Sequence, residues 1–213
     1  MTRSLARSNV YNLLSLCFSY PDDEIYACIA AGEQFREARK SLCLLADDHF
    51  DACLRIFAEV SCGGKRAMQR EMAQEYRRLF IPAVPPMIPL HGATCPGKDE
   101  LVSGGKTFET LRFFREAGFT PHRGDMPGHI AHQLEFMGNM AEQERTASCG
   151  ERIRLEEMQL KFLSRFLITG VAAYCEKVMP ENSLPFYCIL GDFTQEFISF
   201  EINYLGIPEE KEQ

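Results

Sequence analysis

The sequence lacks the features that several functional classes require. Its 213 residues include 23 Lys and Arg against 30 Asp and Glu, a net charge of -7, so it has no excess of basic residues for nucleic-acid phosphates. No apolar run approaches the ~20 residues of a membrane-spanning helix. No stretch alternates apolar and polar residues for long enough to demand a sheet. We therefore expect no nucleic-acid partner, no membrane span and an all-α fold.

Paired cysteine motifs and an export signal are also missing. The nine cysteines are an odd number, and no two form a Cys-x-x-Cys pair of the zinc-ribbon or thioredoxin type. Most of them fall among apolar residues, where a thiol behaves as a small hydrophobic group. The basic residues near the N-terminus are not followed by a continuous apolar segment. The sequence therefore predicts a protein of the reducing cytoplasm without an export signal.

Apolar residues recur at helical spacing along most of the chain. The first example is the stripe formed by Val10, Leu13, Leu14, Cys17 and Phe18, which would bury one helix face. We predict one all-α domain over residues 1–213 with roughly nine to eleven helices. The clearest periodic stretches cover residues 10–18, 23–31, 35–45, 50–57, 65–80, 107–117, 127–141, 151–179 and 186–205.

Residues 81–106 interrupt this pattern. The range contains five prolines, which lack an amide donor, and four glycines, which permit sharp turns. We predict a long Pro-rich central loop, with Thr107 opening the next helix. A loop of this length inside a compact domain is usually functional. It is also a candidate hinge between two helical halves, so we expect a monomer or a domain-swapped dimer.

A metal-dependent enzyme is the alternative function. His129, His132 and Glu135 follow one another at three-residue spacing, so they are candidate ligands together with His122 or His91. Helical two-metal sites use Glu-x-x-His pairs, and the chain contains none. The sequence therefore favours His129 as a hydrogen-bonding residue at a helix start, with no bound cofactor.

The sequence motifs for phosphate binding and for nucleophilic catalysis are incomplete or absent. Gly104-Gly105-Lys106-Thr107 matches only the last part of a Walker A loop and does not follow a strand. A turn and helix start at Thr107 explain it better. No Gly-x-Ser-x-Gly motif is present for a serine nucleophile.

Two short blocks carry a family resemblance. Residues 75–80 read Glu-Tyr-Arg-Arg-Leu-Phe, and residues 127–137 begin Pro-Gly-His-Ile-Ala-His-Gln. In this order, and with a Pro-rich loop between them, they resemble the cytoplasmic maturation chaperones of bacterial molybdoenzymes, the TorD/DmsD type and their nitrate-reductase relatives. The resemblance implies an all-helical binder that is not an enzyme. Its expected partner is an immature molybdenum-cofactor oxidoreductase subunit, held back from export with its twin-arginine signal peptide until the cofactor is inserted.

The resemblance covers nearly the whole chain, with local departures. Segments 7–21, 106–119 and 163–197 are similar to the first helix, the helix after the loop and the C-terminal half of family members. Gly128 replaces the usual Asp between Pro and His, and Gln133 replaces a usual Glu. These two replacements remove carboxylates that would pair with signal-peptide arginines.

The resemblance places the partner-binding surface where the Pro82 to Pro89 loop meets the start of the helix at Pro127. There the carboxylates of Glu75 and Glu135 would supply negative charge for client arginines. An intrahelical or core-edge pair with Arg78 or Arg112 is the alternative role for Glu75. Methionines 68, 72, 126, 137 and 140 either line an adaptable groove or fill the core. The predicted site residues are Glu75, Arg78, Pro86, Met87, His91, Met126, His129 and Glu135.

Overall fold

The computed structural model of the protein describes residues 1–45, 66–81, 100–121, 128–181 and 184–206. Within these ranges every regular element is helical, which confirms the all-α prediction. The elements are α1 (Arg3–Cys17), α2 (Asp23–Ala31), α3 (Glu33–Leu45), α4 (Arg66–Phe80), α5 (Glu100–Glu116), α6 (Ile130–Gln143), α7 (Cys149–Phe162), a π-helical turn (Leu163–Leu167), α8 (Ile168–Glu181) and α9 (Pro185–Leu205).

The described residues form slightly fewer separate helices than the nine to eleven expected. α7, the π-helical turn and α8 run on without a break, so the described ranges hold eight separate helical rods. This continuous rod matches the single periodic stretch predicted over residues 151–179. The helix expected at residues 50–57 lies outside the described residues.

Helix ends follow the expected local chemistry. The Asp22 carboxylate accepts the amide hydrogens of Glu24 at 3.1 Å and Ile25 at 2.8 Å, which caps the start of α2. α2 ends at Ala31, and its C-cap is Gly32, whose φ of 68° lies in the left-handed region that favours glycine. α9 begins with Pro185 in its first turn, where a missing amide donor costs nothing.

Two predicted helix starts are wrong. The loop predicted for residues 81–106 is too long, because α5 already begins at Glu100 and includes Gly104 and Gly105. A glycine costs a helix roughly 1 kcal/mol but ends it only when it leaves the helical conformation. α6 begins at Ile130 and not at Pro127, because the imidazole of His129 supplies the N-cap.

α1 lies at the centre of the fold and packs most extensively against α6 and α3, whereas α9 packs mainly against α8. Val10, Leu13 and Leu14 are fully buried, as their spacing predicted. α1 and α6 approach closely: a Cβ atom added to Gly138 would lie 3.2 Å from Tyr11 Cβ. This contact explains a glycine in the middle of α6.

A buried ionic network joins α1 to the second half of the chain. Arg7 is fully buried and donates to both Glu201 oxygens at 2.7 Å and to Glu144 at 2.8 and 3.1 Å. It also donates to Gln159 Oε1 at 2.7 Å, and Tyr11 donates to Glu201 at 2.8 Å. Burial lowers the pKa of Arg7, but the charges of Glu201 and Glu144 more than offset this effect and raise it. The guanidinium therefore stays charged.

Aromatic side chains connect the end of α4 to α8 and α9. The Phe80 ring lies 5.9 Å from the Tyr174 ring and 5.5 Å from the Tyr187 ring, measured between centroids. Tyr187 donates its hydroxyl hydrogen to the Met72 carbonyl at 3.1 Å, and Tyr174 donates to the Tyr187 carbonyl at 2.8 Å. These contacts fix the position of α4.

In the described ranges, no helix combines the length and apolarity that a membrane crossing requires.

Candidate functional site

The candidate site is built around the C-terminal end of α4. Glu75 and Arg78 form a two-point ion pair on this helix, with nitrogen to oxygen distances of 2.8 and 2.9 Å. The Arg78 side chain is 38% exposed and the Glu75 side chain 12% exposed. The interpretation of Glu75 as an intrahelical partner of Arg78 is therefore confirmed.

Tyr76 joins this helix end to the start of α6. It is buried, and its hydroxyl oxygen lies 3.1 Å from His129 Nε2 and 3.4 Å from the Phe18 carbonyl oxygen. Burial raises the pKa of Tyr76 above its usual value. The phenol is therefore neutral and keeps a hydrogen to donate to Phe18.

His129 has a fixed tautomer because both of its ring nitrogens are engaged. Nδ1 accepts the Ala131 amide hydrogen at 3.2 Å, so the ring hydrogen is on Nε2 and is donated to Tyr76. This arrangement confirms the interpretation of His129 as a hydrogen-bonding residue at a helix start.

Gln133 stabilises the same helix start from the next turn. It is buried, and its side-chain nitrogen donates to the Gly128 carbonyl at 3.1 Å. An ionised glutamate has no hydrogen to donate, so it would not make this bond. The glutamine that departs from the family pattern therefore has a structural role here.

A polar cleft of about 900 Å³ lies beside α4, between this helix and the start of α2. Arg77 donates to the Tyr20 hydroxyl and lies 5.4 Å from the centroid of the Tyr20 ring. Gln69 donates to Asp23 at 2.9 Å. The cleft thus offers charges of both signs beside α4.

The sequence did not identify Tyr20, Tyr76 or Arg77 as site residues. For Tyr76 and Arg77 a signal existed, because both lie inside the block of residues 75–80. Tyr20 carried no comparable signal, since only the fold brings it to the end of α4.

Four of the eight predicted site residues lie within the described residues. Glu75 and Arg78 are paired with each other on α4, and His129 contacts Tyr76. Glu135 is half-buried on α6. Met72, Met137 and Met140 are buried core residues, so they do not line a groove. The remaining predicted site residues, Pro86, Met87, His91 and Met126, lie outside the described residues.

The described residues do not support the alternative of a metal- or phosphate-dependent enzyme. No group of three His, Cys, Asp or Glu side chains within them is arranged to hold a metal ion. Nδ1 of His129 already accepts an amide hydrogen, which a metal would displace. Gly104 to Thr107 lie inside α5, where amide hydrogens bond within the helix and not to a phosphate.

Comparison with known proteins identifies the family. A family model described as nitrate reductase delta subunit matches residues 43–175, which is more than half of the chain. A search of curated proteins finds no match. Proteins of this family are non-catalytic assembly chaperones of molybdoenzymes, which agrees with a helical fold and with the two blocks that meet at Tyr76 and His129. The chain therefore belongs to the nitrate reductase delta subunit family and is a molybdoenzyme assembly chaperone, not an enzyme.

Proposed function

We propose that this chaperone acts in the cytoplasm on an immature molybdenum-cofactor oxidoreductase subunit. It binds the twin-arginine signal peptide and the body of this client, and it assists cofactor insertion before export. The molybdenum cofactor belongs to the client, and the chaperone holds no cofactor of its own. The observation that carries the proposal is the joint at Tyr76 and His129, which brings the two family blocks together.

The charges at the end of α4 suit a peptide that carries arginines. The Arg78 side chain is 38% exposed, so solvent reaches the Glu75–Arg78 pair from the arginine side, although the Glu75 side chain is only 12% exposed. A client guanidinium would bind Glu75 by displacing Arg78 from this pair. Asp22 and Asp23 add carboxylates in the neighbouring cleft.

Calorimetry tests this proposal once co-purification from the native host has identified the client. The titrant is a peptide that carries the client's N-terminal signal, and the variants are Glu75→Gln, Glu135→Gln and His129→Ala. We expect each to lose about 1–3 kcal/mol of binding free energy, the range for a charged or buried contact left without its partner. Glu176→Gln is the control, because Glu176 is exposed on α8 and lies outside the predicted site.

Two outcomes would contradict the proposal. If all three variants bind like the wild type and remain folded by circular dichroism, the peptide binds elsewhere. If no molybdoenzyme subunit co-purifies with the wild-type protein, the proposed client class is wrong. Light scattering of the same preparation tests the prediction of a monomer or a domain-swapped dimer.

A further inference from the structure

The chain carries a pair of consecutive arginines of its own at the end of α4. Arg77 and Arg78 are the one place in the sequence where two arginines follow each other. Successive residues of a helix point about 100° apart around its axis, so the two side chains leave α4 in different directions. Both residues are exposed. Each of them contacts a group that can bind a guanidinium.

Arg78 occupies a carboxylate. Its Nε and Nη2 atoms donate to the two oxygens of Glu75 at 2.9 and 2.8 Å. This two-point geometry is the strongest way for a guanidinium to bind a carboxylate. The Glu75 side chain is 12% exposed, so little of the carboxylate is left open to a second guanidinium while Arg78 stays in place.

Arg77 occupies an aromatic ring and its hydroxyl group. It donates to the Tyr20 hydroxyl, and its guanidinium carbon lies 5.4 Å from the centroid of the Tyr20 ring, within the range of a cation–π contact. A guanidinium can use both parts of a tyrosine because it is flat and carries five donors. Tyr20 is thus a second guanidinium acceptor, and Arg77 already fills it.

The second acceptor lies in an acidic setting. Tyr20, Asp22 and Asp23 line the cleft of about 900 Å³ beside α4. Asp22 accepts backbone amide hydrogens at the start of α2, and Asp23 accepts a hydrogen from Gln69. These donors are uncharged, so the bonds do not neutralise the two carboxylates. If a guanidinium from outside takes the place of Arg77 on Tyr20, it meets the same negative charges.

The two acceptors lie on either side of Tyr76. The Tyr20 ring packs edge-on against the Tyr76 ring at a centroid distance of 5.4 Å, and Glu75 precedes Tyr76 in α4. Both acceptors are therefore close to the joint between Tyr76 and His129. In an extended peptide, successive side chains point to opposite sides of a backbone with about 3.8 Å between Cα atoms. Two consecutive arginines of such a peptide can thus reach one acceptor each.

We infer that Arg77 and Arg78 imitate the twin arginines of the client and keep both acceptors occupied until the signal peptide displaces them. This inference rests on the proposed function, because it takes the twin-arginine peptide as the ligand. One client guanidinium replaces Arg78 on Glu75, and the other replaces Arg77 on Tyr20. A ligand with a single arginine displaces only one of the two, so this self-contact favours ligands that bring two guanidinium groups.

The self-contact lowers affinity without blocking the site. When a chain occupies its own binding site, the apparent affinity falls in proportion to the fraction of molecules in which the site is open. Arg77 and Arg78 are exposed, so their side chains can turn into water without a movement of α4. Removal of either arginine should therefore strengthen the binding of a twin-arginine peptide, whereas a purely structural role predicts no change or weaker binding.

Fluorescence anisotropy with three single variants of the full chain tests this inference. Arg77→Gln and Arg78→Gln each vacate one acceptor. Arg70→Gln is the matched control, because Arg70 is an exposed arginine of α4 that lines the same cleft. Each variant removes one positive charge, so a general attraction for basic peptides rises in all three. The probe is a fluorescein-labelled peptide of Ser, Ala and Leu with one Arg-Arg pair at its centre, and a second probe carries Lys-Lys instead.

We expect Arg77→Gln and Arg78→Gln to bind the Arg-Arg peptide about three- to tenfold more tightly than Arg70→Gln does. The Lys-Lys peptide should bind all three variants equally, since an ammonium group makes neither a two-point contact with Glu75 nor a flat stack on Tyr20. Circular dichroism checks that the variants are folded.

Three results would overturn the inference. The first is equal or weaker binding of the Arg-Arg peptide by Arg77→Gln and Arg78→Gln, compared with Arg70→Gln. The second is a gain of the same size for the Lys-Lys peptide, which would indicate charge alone. The third is a failure of the wild type and every variant to bind the Arg-Arg peptide.

Co-purification from the native host separates this inference from the proposed function. If a molybdoenzyme subunit co-purifies with the wild type and its signal peptide binds Arg77→Gln and Arg78→Gln no better than Arg70→Gln, the self-contact is wrong and the proposed function stands. If no molybdoenzyme subunit co-purifies with the wild type or with any variant, the proposed function is wrong, whatever the result with the designed peptides.

Discussion

Tyr76 at the end of α4 donates to the Phe18 carbonyl and receives the Nε2 hydrogen of His129 over 3.1 Å. The same imidazole accepts the Ala131 amide hydrogen through Nδ1. One histidine therefore both caps α6 and anchors it to α4. This double role ties together the two sequence blocks through two residues that are 53 positions apart in the chain.

Tyr76→Phe should lower the free energy of unfolding by about 1–2 kcal/mol, because it removes the hydroxyl but keeps the buried ring. His129→Asn should lose the bond to Tyr76 and keep an N-cap, whereas His129→Ala should lose both and be the less stable of the two. Urea unfolding measures the free energy of unfolding of all three variants. In the double variant Tyr76→Phe with His129→Asn, the losses should not add, since both remove the same bond. Additive losses would contradict the shared bond.

Arg7 should be essential for folding. Arg7→Met leaves Glu144 and Glu201 buried without their cation, and such a loss costs about 3–5 kcal/mol. We expect little soluble protein, or a large fall in the urea midpoint. The matched variant Arg7→Met with Glu144→Gln and Glu201→Gln removes the charges together and should recover most of the stability. A triple variant no more stable than Arg7→Met would show that the guanidinium matters for its shape and hydrogen bonds and not for its charge.

The sequence predicted most of the helices, but it did not predict the buried ionic network around Arg7. Helical spacing of apolar residues is a local signal, so the stripe on α1 and the long rod beyond Gly150 were both found. Arg7, Glu144 and Glu201 are spread over the whole chain, and a charged residue is usually exposed. Their burial follows from tertiary packing of α1, which no local pattern encodes.

The errors at helix starts and in the site have similar causes. Gly104 and Gly105 suggested a turn, but α5 continues through them, because glycine weakens a helix without ending it. Pro127 suggested the first residue of α6, but a side-chain cap at His129 sets that start. Family resemblance pointed to Glu75, Arg78 and His129, whereas Tyr20 and Arg77 meet only after folding.

Alanine substitution of two glycines in helix interiors should change the stability of the protein in opposite directions. Gly138→Ala would place a methyl group 3.2 Å from Tyr11 Cβ and 2.8 Å from Asn12 Oδ1. Overpacking costs about 1–3 kcal/mol, more than the roughly 1 kcal/mol that alanine gains in helix propensity, so we expect a net loss of stability. Gly170→Ala is the control, because among the described residues no atom outside its chain neighbours and its own helix backbone lies within 4 Å of the added Cβ. This variant should stabilise the protein by about 0.5–1 kcal/mol. Thermal unfolding of both variants measures the difference. A stabilised Gly138→Ala variant would mean that α1 and α6 can separate slightly at little cost.

The start of α7 should be sensitive to pH. The Glu151 carboxylate accepts the Ser148 hydroxyl hydrogen at 2.7 Å and its amide hydrogen at 2.9 Å, and these bonds hold the pKa of Glu151 below its usual 4.5. A carboxyl group with a lowered pKa stabilises the folded state above its unfolded pKa, and this contribution is lost as pH falls through the folded value.

Glu151→Gln should therefore unfold at a lower temperature than the wild type at neutral pH. This difference in unfolding temperature should become smaller as pH falls below 4.5. Scanning calorimetry over this pH range gives the measurement. Glu176→Gln is the control, since Glu176 is an exposed carboxylate of α8. The unfolding temperature of this variant should stay close to that of the wild type at every pH. A gap for Glu151→Gln that keeps the same size at every pH would show that the shape of the side chain, and not its charge, stabilises the first turn of α7.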